Sequence, residues 1–241
     1  MKTFSVIIAT FNAGRTLSRC IESIARQKKD DMELIIIDGG SKDNTNAIIS
    51  KWSDCIDYTI SEKDQGLYDA WNKGIAVAKG KWILFIGADD YYASYTFEEY
   101  RRFLQANDEE QIDLISGKCE FVNSTGEVLK YFGQPYKWSS FRHYMNISHG
   151  STLHNRKLFE QLGSFSLNYK ICADYDFLLR KKMNAKYIDK VLLVMEDGGM
   201  SNSINAIFET YKIKRAHKCN TFLSDSWYLM KGFISLYKRK L

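Results

Sequence analysis

Four short apolar runs, each followed by residues at helical spacing, fill the first 90 positions of this chain and narrow its possible folds more than any other feature. The runs are residues 3–9 (TFSVIIA), 33–37 (ELIII), 56–60 and 82–86. The first two are apolar at consecutive positions, as strands buried on both faces are. Between the runs, Leu17, Cys20, Ile21 and Ile24 recur at helical spacing, as do Ile48, Ile49 and Trp52, and residues 67–78 continue the pattern. This alternation specifies βαβ units and an α/β fold with a mostly parallel, Rossmann-like sheet flanked by helices. After Asp90 the rhythm loosens. A helix is expected over 95–104, a strand over 112–116, and a hairpin from 119–122 and 127–131 around Asn123-Ser124-Thr125-Gly126. Helices over 156–162 and 175–183, a strand over 191–195 and a helical C-terminal extension complete the reading.

A chain of 241 residues, 45% hydrophobic and 26% charged, has the length and composition for one large α/β core. Its single proline gives no flexible linker. Five cysteines, an odd number without a C-x-x-C pair, suggest neither a zinc site nor a disulfide framework. Reduced thiols in a cytoplasmic compartment are the expectation. The apolar run at 4–9 is too short for the core of a signal peptide, and no stretch reaches the roughly 18–20 apolar residues of a membrane span. The net charge of +5 is unevenly placed. Residues 206–241 hold eight Lys/Arg against Glu209 and Asp225, a net +6 interleaved with Phe222, Trp227, Tyr228, Leu229, Met230 and Phe233. A solvated helical face is one reading of such a run. A helix lying on an anionic membrane surface suits the aromatic interleaving better. Basic and aromatic residues also serve nucleic-acid binding, but no nucleic-acid motif accompanies them.

The strand ends carry the chemistry. Strand 1 runs into Thr10-Phe11-Asn12, where Asn12 can also cap the next helix. Strand 2 runs into Asp38-Gly39-Gly40-Ser41, strand 3 into Glu62, Asp64 and Gly66, and strand 4 into Gly87-Ala88-Asp89-Asp90. In an open α/β sheet, ligands bind beyond the carboxyl ends of the strands. Paired Asp side chains there offer hard oxygens to Mg2+ or Mn2+, cations commonly shared with substrate phosphates. Neither G-x-x-x-x-G-K-[ST] nor G-x-G-x-x-G is present, so a bound diphosphate would need a cation to neutralise it, the task that falls to Asp90.

Five motifs in order, SVIIATFN at 5–12, DGGSKDNT at 38–45, SEKDQGLYDAWNKG at 61–74, GADD at 87–90 and ADYDFLLR at 173–180, resemble those of the family-2 inverting glycosyltransferases of GT-A fold. The resemblance spans roughly residues 3–200. It implies a nucleotide-sugar donor, commonly a UDP-sugar, with Thr10 and Asp38 at the nucleoside, Asp89 near the ribose or sugar, and Asp90 on the metal. It implies Asp174 as the catalytic base, whereas capping of its own helix is the plain alternative, and it leaves Asp176 structural. Gly87 stands where the metal motif often carries a further acid. Asn12 and Asp64 join the donor-binding set from their strand-end positions, and His149 is read equally as a packed residue or as part of a donor-phosphate loop. Tyr91 and Tyr92 are expected as site walls and residues 198–201 as a loop closing over the donor.

The organisation expected is a GT-A domain over 1–205, with a nucleotide-sugar half to about 117 and an acceptor half over 118–205, then a basic amphipathic tail over 206–241. The activity expected is inverting, metal-dependent transfer to an acceptor hydroxyl, on a lipid-linked saccharide of a surface polysaccharide, by an enzyme peripheral to the inner face of the cytoplasmic membrane. A sugar-phosphate nucleotidyltransferase would open with a glycine-rich basic loop after strand 1, which Thr10-Phe11-Asn12 is not. A non-catalytic nucleotide-sugar-binding subunit could dispense with Asp174. The sequence assigns no oligomeric state.

Overall fold

In a computed structural model of the chain, residues 2–199 and 201–238 are described. The early alternation folds as expected into β1 (Phe4–Thr10), α1 (Leu17–Ala25), β2 (Met32–Asp38), α2 (Thr45–Lys51), β3 (Tyr58–Ser61), α3 (Leu67–Val77) and β4 (Trp82–Gly87). β3, β2, β1 and β4 lie side by side, all parallel, with Thr10 in register with Asp38 and Asp38 with Ser61. Their carboxyl ends therefore finish along one edge. β1 and β2 are buried at every position, as their unbroken apolar runs require. Along β1, Phe4, Val6 and Ile8 enter one core layer with α1, while Ile7 and Ala9 enter a second layer with α3.

Beyond β4 the sheet becomes mixed. β5 (Tyr91–Tyr92) and α4 (Thr96–Ala106) lead to β6 (Leu114–Val122), which pairs with β7 (Val128–Phe132) as the expected hairpin. The separate strands anticipated at 112–116 and 119–122 are one strand with an irregularity at Gly117 and Lys118. Then follow α5 (Trp138–Phe141), β8 (Thr152–Asn155), α6 (Lys157–Leu162), α7 (Ala173–Leu179), β9 (Ala185–Glu196), α8 (Ile204–Ala216) and α9 (Phe222–Lys238). β8 is inserted antiparallel between β4 and β6, and β9 runs parallel to β6. This brings the end of β9, at Glu196, and the start of α7, at Ala173, to the edge where β1 and β4 end.

Two local expectations change. Asn12 does not cap α1, which begins five residues later. Its φ of 49° turns the chain, and its side chain accepts the Lys42 N–H at 2.9 Å, tying the first loop to the second. Tyr91 and Tyr92 form β5 against β9 and do not line the cavity. Tyr92 is 2% exposed and donates to the Gly150 carbonyl, so it is a core residue. The C-terminal segment is helical, as α8 and α9. α8 docks on the body, where Glu209 accepts the backbone N–H groups of Lys170, Ile171 and Cys172 at 2.8–3.0 Å. α9 packs on α8 through Phe208 against Phe233 and Gly232 against Ile207. No helix among the described residues is long and apolar enough to cross a membrane.

Candidate active site

The converging elements enclose a cavity of about 900 Å³ beyond the carboxyl ends of β1 and β4. Its polar floor comes from the strand ends and carries Thr10, Asn12, Asp89 and Asp90. Another part of its wall is α3, residues 147–150 and the start of α7, carrying Tyr68, Trp71, Ser148, His149 and Asp174. Its apolar end is closed by β7, α8 and α9. Six of the eight site residues named from sequence thus share one space: Thr10, Asn12, Asp89, Asp90, His149 and Asp174. Asp38 and Asp64 do not line it.

Asp38 is fully buried and spends its carboxylate on the turn that follows β2. It accepts from the Gly40 and Ser41 N–H groups and from the Ser41 and Ser61 hydroxyls, so its oxygens hold β2, the turn and β3 together. Asp64 accepts the Gly66 N–H at 2.8 Å and lies against Gly39, where a side chain would collide with its carboxylate at 2.6 Å. Both acids shape the loops behind the floor.

At the end of β4, Asp89 is exposed and Asp90 is 8% exposed. The lack of a side chain at Gly87 leaves room for the Asp89 carboxylate, which approaches to 2.7 Å of where a Cβ would be. Burial, followed by the charges of Asp89 and Glu196, pushes the Asp90 carboxyl well above the usual carboxylate range, and Arg19 only partly opposes them. Arg19 is a residue the sequence did not flag. It donates to the Asp89 carbonyl at 2.9 Å and to Glu196 Oε1 at 2.6 Å, and its guanidinium stacks over Tyr91 at 4.6 Å. Among the described residues no three metal-ligating side chains cluster as a complete cage. One buried carboxylate with acidic neighbours suits a cation that completes its shell with water and ligand phosphates, so Asp90 and Asp89 fit Mg2+ or Mn2+.

Asp174 lies in the first turn of α7. Its Oδ1 accepts from the Tyr68 hydroxyl at 2.9 Å and from the Tyr175 N–H at 2.9 Å. These two bonds leave Oδ2 as the oxygen available to a ligand. Burial pushes its pKa up to about 6, against the opposing pull of the Tyr68 hydrogen bond, so the group is a carboxylate at neutral pH but a more basic one than usual. Tyr68 also lies 2.7 Å from the Ile171 carbonyl. Asp176, two residues on, has different work. It is tied to Arg180 and His217 at 2.8 Å each, and these partners hold its pKa down even against burial.

His149 is packed between Trp71 and Phe85, with ring centroids 5.1 and 5.4 Å away, and burial holds its pKa down to about 3. It is therefore a neutral ring and supplies no positive charge to a phosphate. Its Nε2 is buried without a protein partner, as are Thr10 Oγ1, Trp71 Nε1 and Ser148 Oγ. Orphan buried polar atoms are costly. All four belong to residues that line the cavity. Of the loop at 198–201, Gly199 and Ser201 line the cavity, and Met200 lies outside the described residues.

Residues 5–188 match the model of glycosyl transferase family 2. The chain belongs to that family. It is 34% identical over 210 residues to a PGL/p-HBAD biosynthesis glycosyltransferase of Mycobacterium bovis, covering 83% of this chain and 80% of the relative, and equally to its Mycobacterium tuberculosis counterpart. Among solved structures, S. aureus TarS 1-349 in complex with UDP-GlcNAc superposes with a TM-score of 0.72 at 20% identity, over 98% of this chain and 72% of that one. Mannosyltransferase PcManGT from Pyrobaculum calidifontis, in complex with GDP-Man and Mn2+, gives 0.67 at 17% identity, over 98% and 74%. This family-2 glycosyltransferase therefore has the GT-A fold, a mixed sheet with flanking helices and two C-terminal helices. Family membership displaces the nucleotidyltransferase reading.

Proposed function

We propose that this glycosyltransferase moves a hexose from a nucleotide-sugar donor, a UDP-sugar, to an acceptor hydroxyl with inversion at the anomeric carbon. The observation that carries the reading is the placement of Asp174, a carboxylate of raised basicity with one oxygen anchored and one free, in the same cavity as Asp89-Asp90. The structural neighbours bound to UDP-GlcNAc and to GDP-Man support a nucleotide-sugar in the strand-end half.

Thr10 and Asn12 meet the nucleoside end, with the loop held from behind by Asp38 and Asp64. Asp89 lies near the ribose or sugar. A divalent cation, Mn2+ or Mg2+, held by Asp90 would neutralise the charge that develops on the departing diphosphate. The sugar would lie against Trp71, Ser148 and His149, which line the cavity. Asp174 Oδ2 takes the proton of the acceptor hydroxyl as that oxygen attacks the anomeric carbon from the face opposite the diphosphate. Tyr68 and the Tyr175 N–H keep Oδ1 fixed, so the attacking oxygen meets Oδ2 in one orientation. Single displacement turns an α-linked donor into a β-linked product and uses no covalent enzyme intermediate.

The acceptor enters by the apolar end, between β7, α8 and α9. A saccharide carried on a lipid, as in surface polysaccharide assembly, suits that wall. α9 offers a second support for membrane proximity. Leu223, Trp227, Met230, Ile234 and Tyr237, spaced four and three apart, are each more than half exposed and form one stripe, with Lys231 over the Trp227 ring. Such a stripe beside basic residues suits an anionic membrane interface. The test is a panel of nucleotide sugars with Mn2+ or Mg2+ and a mixture of lipid-linked saccharides, with released nucleoside diphosphate measured and the product's anomeric configuration read by NMR. Metal-dependent release with a β-linked product is the expected result. An α-linked product from an α-linked donor contradicts inversion.

A further inference from the structure

Where α8 and α9 line the cavity lies a buried charge that this chemistry does not use. Lys214 of α8 is 2% exposed and lines the cavity with Tyr228 and Leu229 of α9. Its ammonium carries three donors. Among the described residues it makes one hydrogen bond, to the His143 carbonyl at 3.3 Å. The nearest carboxylate oxygen, Asp225 Oδ1, is 3.9 Å away, beyond hydrogen-bond reach, and the Tyr228 ring centroid is 4.7 Å from the ammonium. Asp225 is itself fully buried and served elsewhere, by Asn220 Nδ2 at 3.0 Å and Arg215 Nη1 at 3.3 Å. A buried cation with donors left over is costly until an anion meets it. Burial lowers the Lys214 pKa, with Asp225 opposing, as expected of a cation short of counter-charge.

The position of Lys214 says which ligand meets it. Ala206, Thr210 and Lys214 are four residues apart and share one face of α8. Cys172, two residues before Asp174, contacts that face at the Ala206 carbonyl and the Thr210 hydroxyl, at 3.6 and 3.7 Å. Lys214 is thus one helical turn, about 6 Å along the axis, beyond the part of α8 that adjoins Asp174. Its other neighbours, His143, Asp225 and Tyr228, belong to none of the strand-end loops. We propose that Lys214 anchors an anionic group of the acceptor, a phosphate or a carboxylate, while the acceptor's hydroxyl is presented to Asp174. The inference rests on the reading of Asp174 as the base on the acceptor side. It defines the acceptor class as a hydroxyl and an anion joined through an apolar or aromatic body. A sugar carried on a lipid phosphate meets that description, and so does a hydroxylated carboxylate.

The test is calorimetry on the full chain with UDP and Mn2+ present, titrating octyl phosphate, octanoate and neutral octyl glucoside below their micellar concentrations. A hydrogen-bonded ion pair in a buried site corresponds to roughly 10- to 100-fold in affinity. The parent protein should therefore prefer at least one anion to octyl glucoside by about tenfold or more, and the tighter anion identifies phosphate or carboxylate as the natural group. Lys214→Met should lose the preference, Lys214→Arg should keep most of it, and UDP affinity should stay unchanged in both. Equal binding of the anionic and neutral probes by the parent overturns the proposal without recourse to any variant. Loss of UDP affinity in Lys214→Met, with the preference for octyl anions intact, also overturns it and assigns the charge to the donor diphosphate. Asp174→Asn should bind the anions as the parent does. If that variant also turned over normally, the base assignment would fail while the anion subsite stood.

Discussion

At the scale of single residues, the two oxygens of Asp174 divide the labour. Oδ1 is held by Tyr68 and the Tyr175 N–H, and Oδ2 is left to act. The Tyr68 hydrogen bond favours the charged carboxylate, so Tyr68→Phe should raise the Asp174 pKa above its value of about 6. A general base works only when ionised, so kcat should fall as the pH drops through that pKa. The acid limb of the kcat profile in Tyr68→Phe should accordingly move to higher pH, with the donor's Kd unchanged. A profile that loses height without moving would mean that Tyr68 only packs. Asp174 also has a stability signature. An acid whose pKa is raised on folding binds its proton more tightly in the native state, so stability declines as pH rises through the interval from 3.8 to about 6. Asp174→Asn removes that cost. With the loss of a favourable charge in the first turn of α7 set against it, the variant should gain about 2 kcal/mol, a few degrees in Tm, above pH 6. The gain should vanish near pH 4. Melting curves at the two pH values check this. In the sequence Asp89-Asp90 stood out as a strand-end pair, and Asp174 stood out only through the resemblance to the family. Sequence pattern missed Tyr68, Arg19 and Lys214, because an aromatic or basic residue on a helix looks the same whether it packs, pairs on the surface or faces a cavity.

At the scale of elements, legibility followed the apolar pattern of the sequence. β1, β2 and β4 were plain in the sequence because strands in the sheet interior are apolar at nearly every position. β5 was invisible at two residues. β8 was hidden because Thr152, His154 and Asn155 are polar, although all are buried and the Asn155 side chain donates to the Ile112 carbonyl. The charge of the C-terminal segment is not all on its surface. Part of it is internal, since Asp225 is buried against Arg215 and near Lys214, and Arg239 and Lys240 lie outside the described residues. Apart from Lys231, the exposed residues described on α9 are apolar, so the surface interaction proposed for it should depend chiefly on hydrophobic contact. Replacing both Trp227 and Ile234 by Ser, at positions 54% and 52% exposed, should leave the melting temperature nearly unchanged. Each buried apolar side chain of this size contributes about 1.5–3 kcal/mol, so co-sedimentation with anionic vesicles should weaken at least tenfold. Vesicle binding equal to the parent's would remove α9 from the membrane account.

For the whole molecule, the fold brings an acidic strand edge and the helices α7, α8 and α9 to one cavity. The parallel half supplies Thr10, Asn12, Asp89 and Asp90 at its floor. The mixed half and the two C-terminal helices supply Asp174 and Lys214 to the same cavity. That division predicts that donor binding and chemistry are separable. Asp90→Ala should lose most of the metal-dependent affinity for UDP, because the cation's buried carboxylate is gone, while the fold survives a change at a strand-end loop. Asp174→Asn should bind UDP with Mn2+ as the parent does and lose roughly 10²- to 10⁴-fold in turnover, the usual contribution of a general base. The decisive measurement is therefore a side-by-side determination of UDP Kd by calorimetry and of kcat by nucleoside-diphosphate release in these two variants. The account predicts weakened binding only in Asp90→Ala and lost turnover at parental affinity in Asp174→Asn. Near-parental turnover in Asp174→Asn, or parental metal-dependent affinity in Asp90→Ala, would contradict it.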